Sequence, residues 1–326
     1  MAFPVPTLVL VGPTAVGKSA VVAALSARRP LEVVVADSLQ VYCGLDVGTA
    51  KPTPAERARF LHHLLDIREP TEPFTAADFA GLARDALADI ACRGHLPVVS
   101  GGTGLYVRAL LRGPLAGPPG HPAIRRRLLE EASARGVAAL HARLAAVDPT
   151  MAAVIHPHNL VRVVRALEQY HLTQTPPSVL RGGLAAGPPS GVLLVGLRRG
   201  QDDLAVRIEE RTRAMLEAGL LDEVRGLLHR GVPPDAKPLG AIGYRQMVAH
   251  LEGRTSLAEA ARQIARDTRR YAKRQMTWFR REPGLVWLDL RPETTPYIVA
   301  EEILERLGDV AGAAGSFCTT GAAGRE

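Results

Sequence analysis

Apolar and polar positions change rhythm three times along the 326-residue chain. Near the start, Val5–Val11, Leu31–Ala36 and Leu96–Ser100 are short, nearly continuous apolar runs, the second with three consecutive valines. Runs of that length suit strands buried on both faces of a parallel sheet. Between them the period lengthens. Helices are predicted over Gly17–Arg28 and Ala76–Arg93, the second with Phe79, Leu82, Ala83, Ala86, Leu87 and Ile90 on one face. Strands alternating with helices predict an α/β fold, a parallel sheet flanked by helices.

The rhythm then becomes wholly helical. A Gly/Pro-rich linker (Arg112–Pro122) leads into helical periodicity from Ile124 to about Thr173, and a second linker (Thr175–Gly191) ends it. The strand pattern returns at Val192–Leu197, followed by long helices, a basic helix at Glu259–Glu282, a strand at Leu285–Leu290 and a last helix. The expected organisation is an α/β core of residues 1–113 and 190–311, an all-helical insertion domain of residues 114–189, and a disordered Gly/Ala-rich tail of residues 312–326.

Composition narrows the function classes. No apolar run reaches the length of a membrane span, and the N-terminus has no basic region leading into an apolar one, so no secretory signal is expected. Cys43, Cys92 and Cys318 have neither metal nor disulfide spacing and read as free thiols of a cytoplasmic protein. No long apolar heptad run asks for a partner copy, so a monomer is expected. The net charge is +7, and all but four of the 40 basic residues are arginine. Such a balance favours polyanionic partners.

The chemistry begins directly after the first strand. "GPTAVGKS" (Gly12, Pro13, Thr14, Ala15, Val16, Gly17, Lys18, Ser19) fits the phosphate-loop pattern between a strand and a helix, the context that pattern requires. Its backbone amides and the helix N-terminus cradle phosphate oxygens. Lys18 reaches a terminal phosphate, and the Ser19 hydroxyl can ligate Mg²⁺. The fold is therefore expected to be of the P-loop NTPase type. The second strand ends at Asp37, at the sheet edge where ligands bind in such folds. A carboxylate there can act as a general base or hold Mg²⁺ through water; as a plain turn residue it would only end the strand. "SGGTGLY" (Ser100–Tyr106) brings backbone amides and Thr103 to the same edge. The pair His62–His63 has no partners that complete a metal set.

These blocks, with "DSLQVYCGLDVGTAKP", "HHLLDI", "DFAGLA", "HPHNLVRVVRALE", "AIGYRQ" and "AKRQMTWFRR", occur in an order that resembles the tRNA dimethylallyltransferase family. The resemblance implies transfer of a dimethylallyl group from dimethylallyl diphosphate to N6 of the adenosine 3′ of the anticodon, with Mg²⁺ as cofactor. It implies that the loop holds the departing diphosphate rather than ATP, and that Asp37 takes the proton from N6. Thr103 would contact the tRNA or the target adenosine, and Ser38, Leu39 and Gln40 would line the adenine pocket. An arginine of "RIEER" would hold the diphosphate, with Arg207 preferred over Arg211. The insertion would close on the anticodon stem-loop, with Arg162 and Arg165 in reach of phosphates. Val161 stands where some relatives carry glutamine.

The basic helix adds its own argument. Eight Arg/Lys lie between Arg262 and Arg281 against one acid, Asp267. Arg262, Arg266, Arg270 and Arg274 recur every fourth residue, a stripe suited to RNA phosphates. Ile264, Tyr271, Met276 and Phe279 are expected to dock the helix, with Trp278 packing rather than stacking on a base. A small-molecule kinase using ATP is the alternative reading, and a non-catalytic RNA-binding ATPase a third. The kinase would use Asp37 to activate a hydroxyl but leaves the basic helix and the insertion unexplained, and the ATPase would not need Asp37 and the Gly101–Thr103 loop to converge.

Overall fold

The structure, a computed structural model, describes residues 3, 6–113, 118, 120–180, 187–291 and 293–318. Among the described residues six strands form one parallel sheet: β1 Thr7–Val11, β2 Leu31–Ala36, β3 His62–His63, β4 Leu96–Gly101, β5 Val192–Arg198 and β6 Val286–Asp289. Their order is β3-β2-β4-β1-β5-β6. Every residue of β1 and β2 is buried, as continuous apolar runs in a covered sheet require. One apolar cluster, which includes Val9, Val34, Phe79, Leu110 and Tyr244, packs one face. Another, including Leu8, Leu25, Val33, Leu193 and Ile303, packs the opposite face, as the alternating sides of Leu8 and Val9 dictate.

Register determines what meets at the sheet edge. Val11 of β1 lies opposite Gly101 of β4, and Gly101 lies opposite Ala36 of β2. The residues that follow, Gly12, Asp37 and Gly102, therefore leave the sheet side by side. Gly12 has φ +147°, and a Cβ there would come within 2.7 Å of the Leu197 carbonyl, so the first residue of the loop must be glycine.

The two-residue edge strand β3 is not predicted from the sequence, because two histidines give no strand pattern. Its anchor is long-range. Buried Glu32 lies 2.7 Å from His63 Nε2 and 2.8 Å from His95 Nδ1, and accepts two hydrogen bonds from Arg93. Those bonds, the Arg93 pair above all, hold its carboxyl down at about 2.

The chain divides into two units, Met1–Gly113 with Ala186–Glu326, and Pro114–Ala185. The second unit is helical throughout its described length and has its own core, including Leu128, Leu140, Leu144, Val163 and Leu167. The tail expectation needs correction. The last helix spans Pro296–Cys318, so residues 312–318 are helical, in keeping with the high helix propensity of alanine. Residues 319–326 lie outside the described residues. Among the described residues no helix is long and apolar enough to cross a membrane.

Candidate functional site

A cleft of about 570 Å³ opens at the C-terminal edge of β1, β2 and β4. Thr14 through Ser19 form one wall. Ala15 takes the left-handed φ of +62° that the curl of the loop demands. Lys18 turns back into its own loop, donating to the carbonyls of Gly12 and Pro13 at 2.9 Å each. Burial lowers its pKa to about 8; the nearby Arg211 guanidinium adds to the shift and Asp37 opposes it. Arg199 braces the loop from outside, donating to the Val16 carbonyl at 2.8 Å while paired with Asp203. Arg199 lies outside every sequence motif.

Asp37 lies on the second wall. Its Oδ1 accepts from the amides of Leu39 (2.8 Å) and Gln40 (3.4 Å), so the carboxylate shapes a turn and faces the cleft at once. Among the described residues Oδ2 takes no hydrogen bond. Ser38, Leu39 and Gln40 also line the cleft, and Gln40 donates to the carbonyls of Thr49 and Ala50. Thr103 is not in the lining. It stands directly behind: its N–H donates to Ala36 O at 3.2 Å and its hydroxyl accepts from the Ser38 amide at 3.1 Å.

The arginine preferred from the sequence is not the one that reaches the site. Arg207 is exposed and pairs with Asp203. Arg211, one turn further along the helix Gln201–Glu217, lines the cleft and donates to the Thr49 carbonyl at 3.3 Å. Its pKa is lowered by burial, with Asp37 opposing the shift, which places its charge in the field of the carboxylate.

The basic helix spans Leu257–Phe279 and docks through Ala260, Ile264, Ala265, Ala272, Gln275 and Phe279. Tyr271 and Arg274 face the cleft, the Arg274 guanidinium 5.7 Å from the Tyr271 ring centre. Arg262, Arg266 and Arg270 lie outside it and each has an acidic neighbour: Glu259 at 2.6 Å, then Asp267 at 3.4 and 3.8 Å. The stripe is thus less uniform in charge than the sequence suggests, because Asp267 and the helix-capping segment supply counter-charges. Trp278 packs against Gly104 and beneath the Arg108 guanidinium.

Three further residues escape sequence reasoning. Glu223 accepts the amides of Asp46, Val47 and Gly48 and the Tyr244 hydroxyl, fixing the loop that places Thr49 and Ala50 on the cleft. Buried Lys51 ties the same loop to Asp46, Asp66 and the Tyr42 carbonyl. Gln275 bridges two backbone loops. Glu223 and Lys51 belong to segments that match motifs or helices as a whole, and only tertiary contact reveals their roles. His62 lines the cleft, whereas His63 serves Glu32.

In the helical unit Arg162 and Val161 are exposed on the helix Leu160–Thr173. Arg165 is engaged within the unit, donating to buried Glu168 at 2.8 Å and to the Pro118 carbonyl at 2.6 Å.

What such a cleft can do is polarise and remove a phosphorylated leaving group beside a carboxylate base. Known proteins share both the sequence and the fold. The family described as IPP transferase matches residues 40–282. The tRNA dimethylallyltransferase of Syntrophobacter fumaroxidans is 48% identical over 285 residues, 87% of this chain and 83% of that one. That of Anaeromyxobacter dehalogenans is 50% identical over 302 residues, 92% and 99% of the two chains. Among solved structures, the tRNA isopentenylpyrophosphate transferase of Bacillus halodurans superposes with a TM-score of 0.70 at 38% identity, covering 95% of this chain and 99% of that one. A eukaryotic dimethylallyltransferase acting on tRNA superposes with a TM-score of 0.74 at 26% identity, covering 87% and 73%. Identity of that depth over most of both partners, on a shared P-loop α/β frame, makes this chain a member of the tRNA dimethylallyltransferase (IPP transferase) family.

Proposed function

We propose that this chain transfers the dimethylallyl group of dimethylallyl diphosphate to N6 of the adenosine 3′ of the tRNA anticodon. The observation that supports it most is the meeting of a phosphate loop, Asp37 and Arg211 around one cleft. In the proposed reaction the allylic C1–O bond breaks and a C1–N6 bond forms. The N6 proton passes to Asp37, and diphosphate leaves. The loop amides, Lys18 and Arg211 bear the charge that grows on the leaving oxygens. An exocyclic purine amine is a weak nucleophile, so the base contributes on the order of 10²–10⁴-fold. The target adenine must leave the anticodon stack to reach the cleft.

Mg²⁺ fits the donors at the loop. Ser19 is exposed and lines the cleft, and its hydroxyl makes no hydrogen bond among the described residues. Among the described residues no three His, Cys, Asp or Glu could hold a metal between them. One hydroxyl, completed by water and diphosphate oxygens, is a donor set suited to Mg²⁺. The ion would supply further neutralisation of the leaving group. We extend the proposal to a monomer working in the cytoplasm, in keeping with the free thiols of Cys43 and Cys92.

The deciding experiment incubates the protein with Mg²⁺, labelled dimethylallyl diphosphate and unmodified tRNA with adenosine after the anticodon, with ATP alone as control. Label in RNA is expected. ATP consumption without label would instead assign the loop to a kinase.

Two further results are expected. Lys18 binds phosphate as the ammonium ion, and in the free protein it loses its proton near pH 8. Second-order transfer, kcat/KM for the prenyl diphosphate, should therefore fall about tenfold per pH unit above that point, since kcat/KM follows the free enzyme's ionisations. A flat profile to pH 10 would place the lysine elsewhere in the chemistry. Replacing Arg266, Arg270 and Arg274 together by glutamine should weaken tRNA binding and lower the slope of log K against log salt by about 2. The Asp267 contacts do not prevent this, because the Arg266 and Arg270 side chains stay more than half exposed and approach it only to 3.4 and 3.8 Å. An unchanged slope would move the RNA to another face.

A further inference from the structure

Gln275 is 7% exposed and sits on the apolar side of the most basic helix in the chain. A buried amide costs free energy unless its donor and acceptor are both used. Both are used, on two different loops. Oε1 accepts the Thr14 N–H of the phosphate loop at 2.9 Å, and Nε2 donates to the Gly102 carbonyl at 2.9 Å. The fit is close: a Cβ at position 102 would lie 2.2 Å from Nε2. The contact continues toward the carboxylate. Thr103, next after Gly102, accepts the Ser38 amide, and Ser38 follows Asp37.

We propose that Gln275 is a positioning residue that sets the distance between the diphosphate cradle and the carboxylate that receives the N6 proton. The inference rests on the prenyl-transfer reading. The glutamine carboxamide offers a neutral acceptor and donor on one planar group. An ionised glutamate cannot donate to Gly102, and lysine or arginine cannot accept from Thr14. The same helix bears Arg266, Arg270 and Arg274, so the surface proposed for RNA and the spacing of the two reacting groups share one rigid element.

The test uses the full chain with Gln275→Met, which keeps the volume and removes both hydrogen bonds. The single-turnover rate of label transfer to tRNA should fall about 10²-fold, the effect expected of a small misplacement of reacting groups. KM for dimethylallyl diphosphate should stay near wild type. Amide hydrogen exchange should quicken in peptides covering residues 12–19 and also 36–42. Thr103→Val removes the next link, and its rate loss should overlap that of Gln275→Met instead of multiplying it. If Gln275→Met does not fold, Gln275→Glu, which keeps the Thr14 bond alone, should quicken exchange at residues 36–42. An unchanged rate, multiplying rate losses, or faster exchange confined to residues 12–19 would overturn the proposal. Should the wild-type protein place no label on RNA, the functional reading fails, while the exchange pattern still decides whether Gln275 couples the two loops.

Discussion

Asp37→Asn is expected to lower prenyl transfer by about 10²–10⁴-fold while tRNA and pyrophosphate still bind. The substitution is chosen for the geometry of the turn. Asp37 Oδ1 accepts the Leu39 amide at 2.8 Å, and an asparagine carbonyl oxygen can accept the same bond. The turn that carries Ser38, Leu39 and Gln40 along the cleft therefore survives, and only the ability to take a proton is lost. Asp37→Ala would remove turn and base together and could not separate them. Single-turnover transfer measured beside tRNA affinity tells the two apart. A near-wild-type rate in Asp37→Asn would leave Asp37 as a turn residue and move the base elsewhere in the cleft.

The parts of the site read most readily from the sequence are those built by local backbone rules. The phosphate loop needs glycines at fixed offsets and a strand-to-helix transition, and both are visible in eight residues. The position of Asp37 follows from strand periodicity and from the rule that ligands meet the carboxyl edge of a parallel sheet. What joins these pieces is not local. Gln275 lies 261 residues from Thr14, and Glu223 lies some 175 residues from the amides it anchors. No period or motif predicts such a pairing. The two-residue strand β3 is similar, since His63 becomes a strand residue through buried Glu32 and the β2 register, not through its own propensity. The last helix shows the opposite error: low complexity read as disorder, where alanine continues a helix to Cys318.

The choice between Arg207 and Arg211 marks where helical periodicity stops being informative. The two are four residues apart and share a stripe of the helix Gln201–Glu217, so the sequence assigns them the same face. They differ in height along the axis by about 6 Å, at 1.5 Å rise per residue. That height is set by where the helix meets the sheet edge. Ile208, Arg211, Thr212 and Met215 reach the cleft, and Arg207 remains beside Asp203 in solvent. Arg211→Gln is therefore expected to lower kcat/KM for dimethylallyl diphosphate by about 10²–10³-fold, the loss typical of one preorganised group facing a departing anion. Pyrophosphate affinity should fall with it. Arg207→Gln should stay close to wild type, because an exposed i,i+4 pair contributes little. The measurement is transfer kinetics on the two variants side by side, with pyrophosphate binding as the second readout. A larger loss in Arg207→Gln would mean that the helix shifts by a turn when the diphosphate binds. Equal losses would mean that the two guanidinium groups act on the leaving group together.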